Sequence, residues 1–159
     1  MNRAKLGSLV IVTAFLCGAG SLPADDKAGE DDQQARYKKF EEMLSGVKLV
    51  GSFTITGKEG QPLREEEYTI SKVSKTEKGD YWLFHARIKY GKNDYEVPLP
   101  LEVKWAGNDT PMITLTDLTI LNQGPFSARV LFYNGKYAGT WSHGKVGGHM
   151  FGKIVKIEE

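Results

Sequence analysis

The amino-acid sequence predicts an all-β domain: an eight-stranded antiparallel meander that closes into a barrel and follows one short helix. From Val47 onward, apolar and polar residues alternate with the period of two that is typical of strands with one buried face. Short runs rich in Gly, Pro, Asn and Asp interrupt this alternation, so consecutive strands are joined by short turns. Such a meander closes into a barrel or folds over as a sandwich. Eight strands are enough for a barrel that is either filled by side chains or holds one small ligand.

Residues 1–24 have the layout of a secretory signal peptide. A start with two basic residues is followed by an uncharged apolar run over 6–16 and by small residues that end at Ala24. Such a segment is removed on export, and we expect cleavage after Ala24, with Ser21 as an earlier alternative. The apolar run is shorter than a membrane span, which needs about 20 residues. The sequence therefore predicts a periplasmic or secreted protein with no membrane span after cleavage; an uncleaved anchor is the alternative.

Cysteine content and charge limit the possible functions of the mature chain. Cys17 is the single cysteine and lies within the signal peptide, so the mature chain must fold on its hydrophobic core without a disulfide. Leu16 directly before it is bulky, whereas lipoprotein signals have a small residue there. Once two of the 21 Lys and Arg residues leave with the signal peptide, 19 remain against 20 Asp and Glu. This balance argues against a nucleic-acid partner, and no protein partner is indicated.

The start of the mature chain divides into an acidic spacer and a short helix. Residues 25–34 contain no apolar side chain larger than Ala, so we expect a flexible spacer. Residues 35–159 are expected to form a single barrel domain whose N-terminal helix spans 35–45. Four large apolar side chains recur there at helical spacing: Tyr37, Phe40, Met43 and Leu44. We expect this helix to pack against the barrel.

The strands are placed by alternation and by the turns between them. They are predicted at about 47–56, 66–76, 80–90, 95–105, 112–121, 126–133, 136–142 and 149–157. In the second strand the alternation slips between Ile70 and Val73, which indicates a β-bulge.

The third and fourth strands are predicted to form a hairpin, and a single register places their apolar residues on one face and their polar residues on the other. With a four-residue loop over 91–94, Tyr90 lies opposite Tyr95 and the apolar residues of both strands fall on one face. The polar face then pairs Lys89 with Glu96. A slip of one residue would exchange the two faces of one strand, so this sorting argues for the register.

Two prolines in the fourth strand predict a seam in the barrel. Pro98 and Pro100 are two residues apart, so both positions without an N–H group lie on the same side of the strand. Proline is confined to edges, strand starts and bulges because it cannot donate to the ladder. The pairing with the third strand is sound on side-chain grounds, so we expect the gap between the fourth and fifth strands.

Asn134-Gly135 is the strongest hairpin signal in the chain. Both central positions of a type I′ turn require positive φ, which Asn and Gly tolerate. The turn sets Phe132 opposite Tyr137 and Val130 opposite Gly139. In the pair Val130–Gly139, a large residue therefore faces a small one on the buried side.

A helix followed by a strand that opens Leu49-Val50-Gly51-Ser52-Phe53, and then by an eight-strand meander, resembles the lipocalin-like (calycin) superfamily of small β-barrels. Phe53 stands where those proteins have the Trp of a Gly-x-Trp motif. The resemblance implies a basic residue from near the last strand over that ring, with Lys153 and Lys156 as candidates. The C-terminal third, over 126–144 and 147–149, is similar to a segment of exported planctomycete proteins. That similarity implies a bacterial envelope setting and no particular chemistry.

His143 and His149 are the best candidates for chemistry. A five-residue loop over 144–148 would set them opposite each other on one face, whereas a tighter loop would place them on opposite faces. A zinc site needs a third protein ligand, and no nearby Cys, Asp or Glu offers itself. The acidic run Glu65–Glu67 is interpreted as a solvated strand edge rather than an acid–base pair. The sequence therefore predicts no metal, no other cofactor and no catalytic residue, and a protein that is not an enzyme.

The candidate ligand site consists of aromatic residues and one histidine on the predicted inner face: Phe53, Trp82, Phe126, Tyr137, Trp141 and His143. The inward glycines Gly51 and Gly139 leave gaps that a ring or a ligand must fill, whereas the pairing of large with small residues is typical of a filled core. We therefore expect a mostly packed barrel with at most a small apolar pocket at the end that bears Phe126 and His143. The predicted function is non-catalytic binding of a small apolar ligand. The alternative is a structural or protein-interaction module with a filled barrel and no ligand.

Overall fold

The structure, a computed structural model, describes residues 25–90, 92–120 and 124–158. The predicted signal peptide, residues 1–24, lies outside the described residues. One helix and eight strands follow one another along the chain: α1 (Asp25–Leu44), β1 (Val47–Phe53), β2 (Arg64–Lys75), β3 (Tyr81–Tyr90), β4 (Asn93–Ala106), β5 (Thr110–Thr119), β6 (Pro125–Tyr133), β7 (Lys136–His143) and β8 (Val146–Lys156).

The strands form a closed antiparallel barrel in which each strand pairs with the next and β8 pairs with β1. This architecture confirms the predicted eight-stranded meander barrel with one preceding helix, and the sandwich alternative is wrong. Alternate side chains of a strand point to opposite faces. In β1 the inward residues Val47, Leu49 and Phe53 are accordingly buried, whereas the outward ones are half-buried.

The two ends of the barrel differ. At the end that we call the helix end, β1 begins at Val47 and β8 finishes at Lys156. At the opposite end, which we call the open end, β1 finishes at Phe53 and β2 begins at Arg64. Helix α1 contacts the helix end.

Aromatic contacts between α1 and the barrel close the helix end. Phe40 and Leu44 are at most 1% exposed. The Phe40 ring centroid lies 4.7 Å from that of Trp82 and 5.7 Å from that of Trp105, both edge-on, and the Arg36 guanidinium lies 4.7 Å above the Trp105 ring. Edge-to-face aromatic pairs add to the free energy gained by burial. The predicted packing of the helix against the barrel is confirmed.

Polar side chains attach the end of α1 to the strands. β2 extends beyond the first residue of β1, and backbone N–H groups in that extension donate hydrogen bonds to side chains of α1 and of Ser45, the residue that follows it. The backbone N–H of Val73 donates to Ser45 Oγ at 2.9 Å, and that of Lys75 donates to Glu41 Oε1 at 2.9 Å. Lys156 Nζ donates to carbonyl oxygens at the C-terminal end of the helix. Buried or edge donors that would otherwise lack a partner are satisfied in this way.

The helix is longer than predicted. Its described part begins at Asp25, so residues 25–34, which the sequence indicated as a flexible spacer, are helical. Residues 29–35 are exposed, so this part of the helix buries no apolar side chain. Ala, Glu and Gln in this segment have good helix propensity, whereas its four Asp residues and Gly29 have low propensity. Helical structure is thus present over residues 25–34 although 29–34 are exposed, so a buried face is not needed for a helix in this segment.

The basic residues expected over Phe53 lie elsewhere. Lys156 is at the helix end, with its Nζ 2.6 Å from the Glu42 carbonyl oxygen, whereas Phe53 is at the open end. Lys153 pairs with Val50 and is exposed on the outer face. The ring of Phe53 instead meets Trp141 edge-on, with 5.6 Å between centroids. This implication of the calycin resemblance is wrong because the end of β8 and the end of β1 are at opposite ends of the barrel.

The β6–β7 hairpin has the predicted turn and register. Asn134 and Gly135 have φ of 47° and 70°, as a type I′ turn requires. Phe132 pairs with Tyr137 and Val130 with Gly139. The predicted bulge in β2 is also confirmed, since its pairing with β3 shifts between Ile70 and Lys72.

The β3–β4 hairpin has the predicted faces in a different register. Tyr90 pairs with Asn93 rather than Tyr95, and Lys89 with Asp94 rather than Glu96. The loop is therefore two residues long, and every pairing is displaced by two. A displacement of two leaves each side chain on its own face, so the sorting of faces cannot distinguish the two registers. On the outer face, Arg87 binds both carboxylate oxygens of Asp94, at 2.7 and 2.9 Å.

The predicted seam between β4 and β5 is present. Pairing of these strands covers only residues 102–106 of β4 and leaves the β5 side of 93–101 unpaired. Val103 N donates toward β3, to Asp80 O at 2.9 Å, so by alternation positions 98 and 100 face β5. β5 itself bends at a bulge between Leu115 and Leu118. The two prolines therefore cost no ladder hydrogen bond.

Candidate functional site: an internal cavity

The barrel contains a cavity of about 410 Å³. It extends to the open end, where Ile55, Arg64 and Val146 belong to its wall, while α1 closes the helix end. Pockets that hold small molecules have volumes of about 300–1,000 Å³. The prediction of a mostly packed barrel with at most a small apolar pocket is therefore wrong. Large residues do oppose small ones within each hairpin, but this pairing acts between neighbouring strands and leaves the space across the barrel unfilled.

The cavity wall is predominantly apolar. Of the 24 described residues that line it, five are polar or charged: Arg64, Glu66, Tyr68, Ser127 and His143. The others are aliphatic and aromatic side chains, together with Met150, contributed by all eight strands. Such a surface, with a few convergent polar groups, is suited to binding an apolar molecule.

Four of the six predicted site residues line the cavity, and two do not. Phe53, Phe126, Trp141 and His143 belong to its wall near the open end, where Trp141 Nε1 donates to a backbone carbonyl at 3.2 Å. Trp82 is 1% exposed and lies beneath α1. Tyr137 is 2% exposed and occupies the inner surface of the barrel wall itself. Trp82 and Tyr137 are buried as predicted, but neither belongs to the cavity wall.

Tyr137 crosses two strands along a row of paired residues. Tyr137 pairs with Gly152, Gly152 with Gly51, and Gly51 with Glu66, so the row runs through β7, β8, β1 and β2. A Cβ on Gly152 would lie 2.7 Å from Tyr137 Cε1, and one on Gly51 would collide with Tyr137 Oη. The two glycines therefore provide the space in which the phenol ring lies. At the end of the row Tyr137 Oη donates to Glu66 Oε1 at 2.8 Å.

Glu66 places a carboxyl group inside the apolar barrel. It is 5% exposed and lines the cavity. The interpretation of Glu65–Glu67 as a solvated edge is therefore wrong for Glu66, whereas Glu65 is exposed. Tyr68 Oη donates to Glu66 Oε2 at 2.9 Å, so each carboxyl oxygen accepts from one phenol. Burial raises the pKa of Glu66 above its ordinary value of 4.5, and the hydrogen bonds from Tyr137 and Tyr68 oppose that rise. Burial and the adjacent Glu66 also raise the pKa of Tyr137, which keeps this phenol protonated as a donor.

The two histidines do not meet. The β7–β8 loop has only two residues, so His143 pairs with Val146 and faces inward, whereas His149 pairs with Thr140 and is exposed on the outer face. The His143 ring stacks on Phe126 with 4.2 Å between centroids. The structure thus follows the tight-loop alternative in separating the two rings. Within the described parts of the chain, no three His, Cys, Asp or Glu residues are grouped so as to hold a metal ion.

The gaps predicted at Gly51 and Gly139 are both closed. Tyr137 lies against Gly51, as described above. A Cβ on Gly139 would collide with the backbone carbonyl of Arg129 and would lie 2.8 Å from Val130 Cα. Gly139 therefore permits a close approach of β6 to β7 and contributes no free volume.

Sequence patterns do not reveal the aliphatic wall of the cavity or the buried carboxyl group. The aliphatic residues were identified as core, but nothing in the pattern distinguishes a packed core from the wall of a cavity. For Glu66 a signal was present, since it has the same parity as Tyr68 and Ile70 and therefore shares their inward face. The acidic neighbours Glu65 and Glu67 concealed this alternation.

Fold and site together define a small up-and-down β-barrel with an apolar internal cavity, an architecture compatible with a calycin-like fold. In comparisons with known proteins, no family model, curated protein or solved structure matches this chain. Across the described residues, no helix is both long enough and apolar enough to span a membrane.

Proposed function

We propose that this chain is an exported, non-catalytic binding protein for a small apolar ligand, which it holds inside the barrel. The observation that supports the proposal is the cavity of about 410 Å³ with its largely apolar wall. Transfer of an apolar surface from water into such a cavity is favourable by roughly 25 cal/mol per Å². The signal-peptide layout of residues 1–24 supports export of the protein.

The barrel provides a route for the ligand from one side. Helix α1 covers the helix end with Phe40 and Leu44, which are fully buried, so access is from the open end. The seam adjoins this end, because β4 and β5 are paired only over 102–106 and 110–114. Strands that lack ladder hydrogen bonds to one another can separate at small cost. A ligand would therefore enter at the open end, where the unpaired parts of β4 and β5 can separate.

The cavity and the seam argue against the alternative of a filled structural or protein-interaction module. The interior is not filled. The unpaired edge of β4 is a potential site for addition of a partner strand, but Pro98 and Pro100 remove two of its donors. Prolines on an exposed edge are a common protection against strand addition.

Titration with N-phenyl-1-naphthylamine, a neutral probe that fluoresces in apolar surroundings, tests the proposal. We expect saturable one-to-one binding in the micromolar range, accompanied by a change in tryptophan emission because Trp141 lines the cavity. The double variant Ala86→Leu, Ala128→Leu adds side-chain volume at two positions in the cavity wall and should weaken binding. Ala138→Leu makes the same change on the exposed outer face and should leave it unaltered. Equal binding by both variants, or no saturable binding by the parent protein, would contradict the proposal.

A further inference from the structure

Glu66 is the charged residue that the barrel buries within its described part, and it lies in the wall of the proposed ligand cavity. A buried carboxyl group carries a large desolvation cost unless hydrogen bonds compensate it. Most of the inward positions that line the cavity are occupied by apolar residues, so closing the barrel does not in itself call for a carboxyl group in this wall. Its presence therefore needs an explanation in terms of what the cavity holds.

The hydrogen bonds of Glu66 leave part of its capacity unused. Tyr137 donates to one carboxyl oxygen at 2.8 Å and Tyr68 to the other at 2.9 Å. An ionised carboxylate accepts about four hydrogen bonds. Because Glu66 is part of the cavity wall, we infer that a ligand in the cavity can use the remaining acceptor sites.

The carboxyl group is also held in a fixed orientation. The Tyr137 ring lies over Gly51 and Gly152, where any side chain would displace it. Tyr68 approaches from the same strand as Glu66, two residues further along. A polar group that is oriented before binding loses little entropy when a ligand binds to it.

We propose that the ligand of this cavity carries one hydrogen-bond-donating head group, a hydroxyl or a protonated amine, which binds the carboxyl group of Glu66, and that ligands with a carboxylate head group are disfavoured. This inference rests on the proposed function and specifies its ligand class. An anionic head group would meet the carboxylate in a medium where charges are poorly screened, and like charges repel strongly there.

Arg64 provides the competing possibility. It lines the cavity two residues before Glu66 on β2, but it is exposed at the open end. A carboxylate ligand could enter tail first and leave its head group beside this guanidinium. The two modes differ in the residue on which head-group preference depends, so they can be separated by substitution.

Displacement of N-phenyl-1-naphthylamine by decanol, decylamine and decanoate tests the inference. These competitors share one apolar chain and differ in the head group. At neutral pH we expect decanol and decylamine to displace the probe at concentrations about tenfold or more below that of decanoate, as expected for a hydrogen bond to a charged group. In Glu66→Gln, decylamine should lose this advantage and decanoate should bind more tightly. Glu65→Gln, the same change on an exposed neighbour, should keep the order of the parent protein.

Several outcomes would overturn the inference. The first is that decanoate displaces the probe from the parent protein more strongly than decanol and decylamine do; this result does not depend on whether a variant folds. The second is that a folded Glu66→Gln protein shows the same order of the three competitors as the parent protein. A decanoate preference that disappears in Arg64→Gln would assign head-group recognition to the open end instead. If the probe itself shows no saturable binding, the proposed function fails and the inference fails with it, whereas probe binding with decanoate preferred overturns the inference alone.

Discussion

At the scale of single residues, two glycines determine where the barrel is filled. Gly51 and Gly152 accept the Tyr137 ring between them, and the ring reaches Glu66 on the far side of β1. The part of the interior occupied by Tyr137 is solid, and the cavity lies beside it. Gly51 and Gly152, which lack side chains and pair with each other on β1 and β8, therefore determine which part of the interior is left for the cavity.

Gly51→Ala should destabilise the protein by about 1–3 kcal/mol, the range found when a methyl group is forced into a filled space. The new Cβ would collide with the backbone carbonyl oxygen of Phe151 and with Tyr137 Oη, and it would lie 2.8 Å from Gly152 Cα. Gly60→Ala is the matched control, because nothing lies within 4 Å of a Cβ at that position. Chemical denaturation measures both variants. Equal free energies of unfolding for the two would show that the Tyr137 row is wrongly placed.

The stability of the protein should depend on pH through Glu66. Burial raises the folded-state pKa of Glu66 above its ordinary value of 4.5, so folding favours the protonated form. Its contribution is therefore most favourable below pH 4.5 and is lost as the pH rises through the folded-state pKa. Relative to Glu66→Gln, the free energy of unfolding of the parent protein should fall over that interval. If the free energy of unfolding of the parent protein, relative to that of Glu66→Gln, stayed constant or rose with pH, this assignment would be contradicted.

At the scale of elements, α1 acts as the closure of one end of the barrel. Phe40 is 1% exposed and its ring contacts Trp82, Phe84 and Trp105. Glu41 and Ser45 attach the helix to backbone donors of β2 at 2.9 Å. Without α1 the barrel would be open at both ends, and the aromatic residues beneath the helix would be exposed to water.

Phe40→Ala should destabilise the protein by about 3–5 kcal/mol, as expected for removal of a buried aromatic ring. Lys39→Ala, at the exposed neighbouring position, should have little effect. Thermal or chemical unfolding measures both. A small loss of stability in Phe40→Ala would mean that α1 detaches easily from the barrel and does not close it.

The sequence predicts elements well where a local rule sets them. The Asn134-Gly135 turn determines the β6–β7 register through the φ angles it requires, and Pro98 and Pro100 locate the seam through their missing donors. The β3–β4 register was wrong by two residues, since face sorting specifies parity only. The extent of α1 was underestimated because helical structure can continue beyond the residues that pack against the barrel.

At the scale of the whole molecule, the size of the cavity is what the sequence could not provide. Strand alternation predicts which residues face inward, and hairpin register predicts which residues are neighbours. The free volume depends on the distance across the barrel between strands that are not paired, which no local pattern encodes. An interior with Trp82, Tyr137 and Trp141 is therefore expected to be filled, although Trp82 packs under the helix and leaves the middle of the barrel open.

The proposed function requires that an apolar ligand enters this cavity. The direct measurement is methyl NMR of selectively labelled protein with decanol bound, in which nuclear Overhauser effects report contacts with the ligand chain. We expect effects from the decanol chain to Leu101, Ile113 and Val130, which line the cavity, and none to the exposed outer residue Val155. Effects confined to Val155 and other outer methyl groups, with none to the three interior residues, would contradict the central claim that the barrel binds its ligand inside.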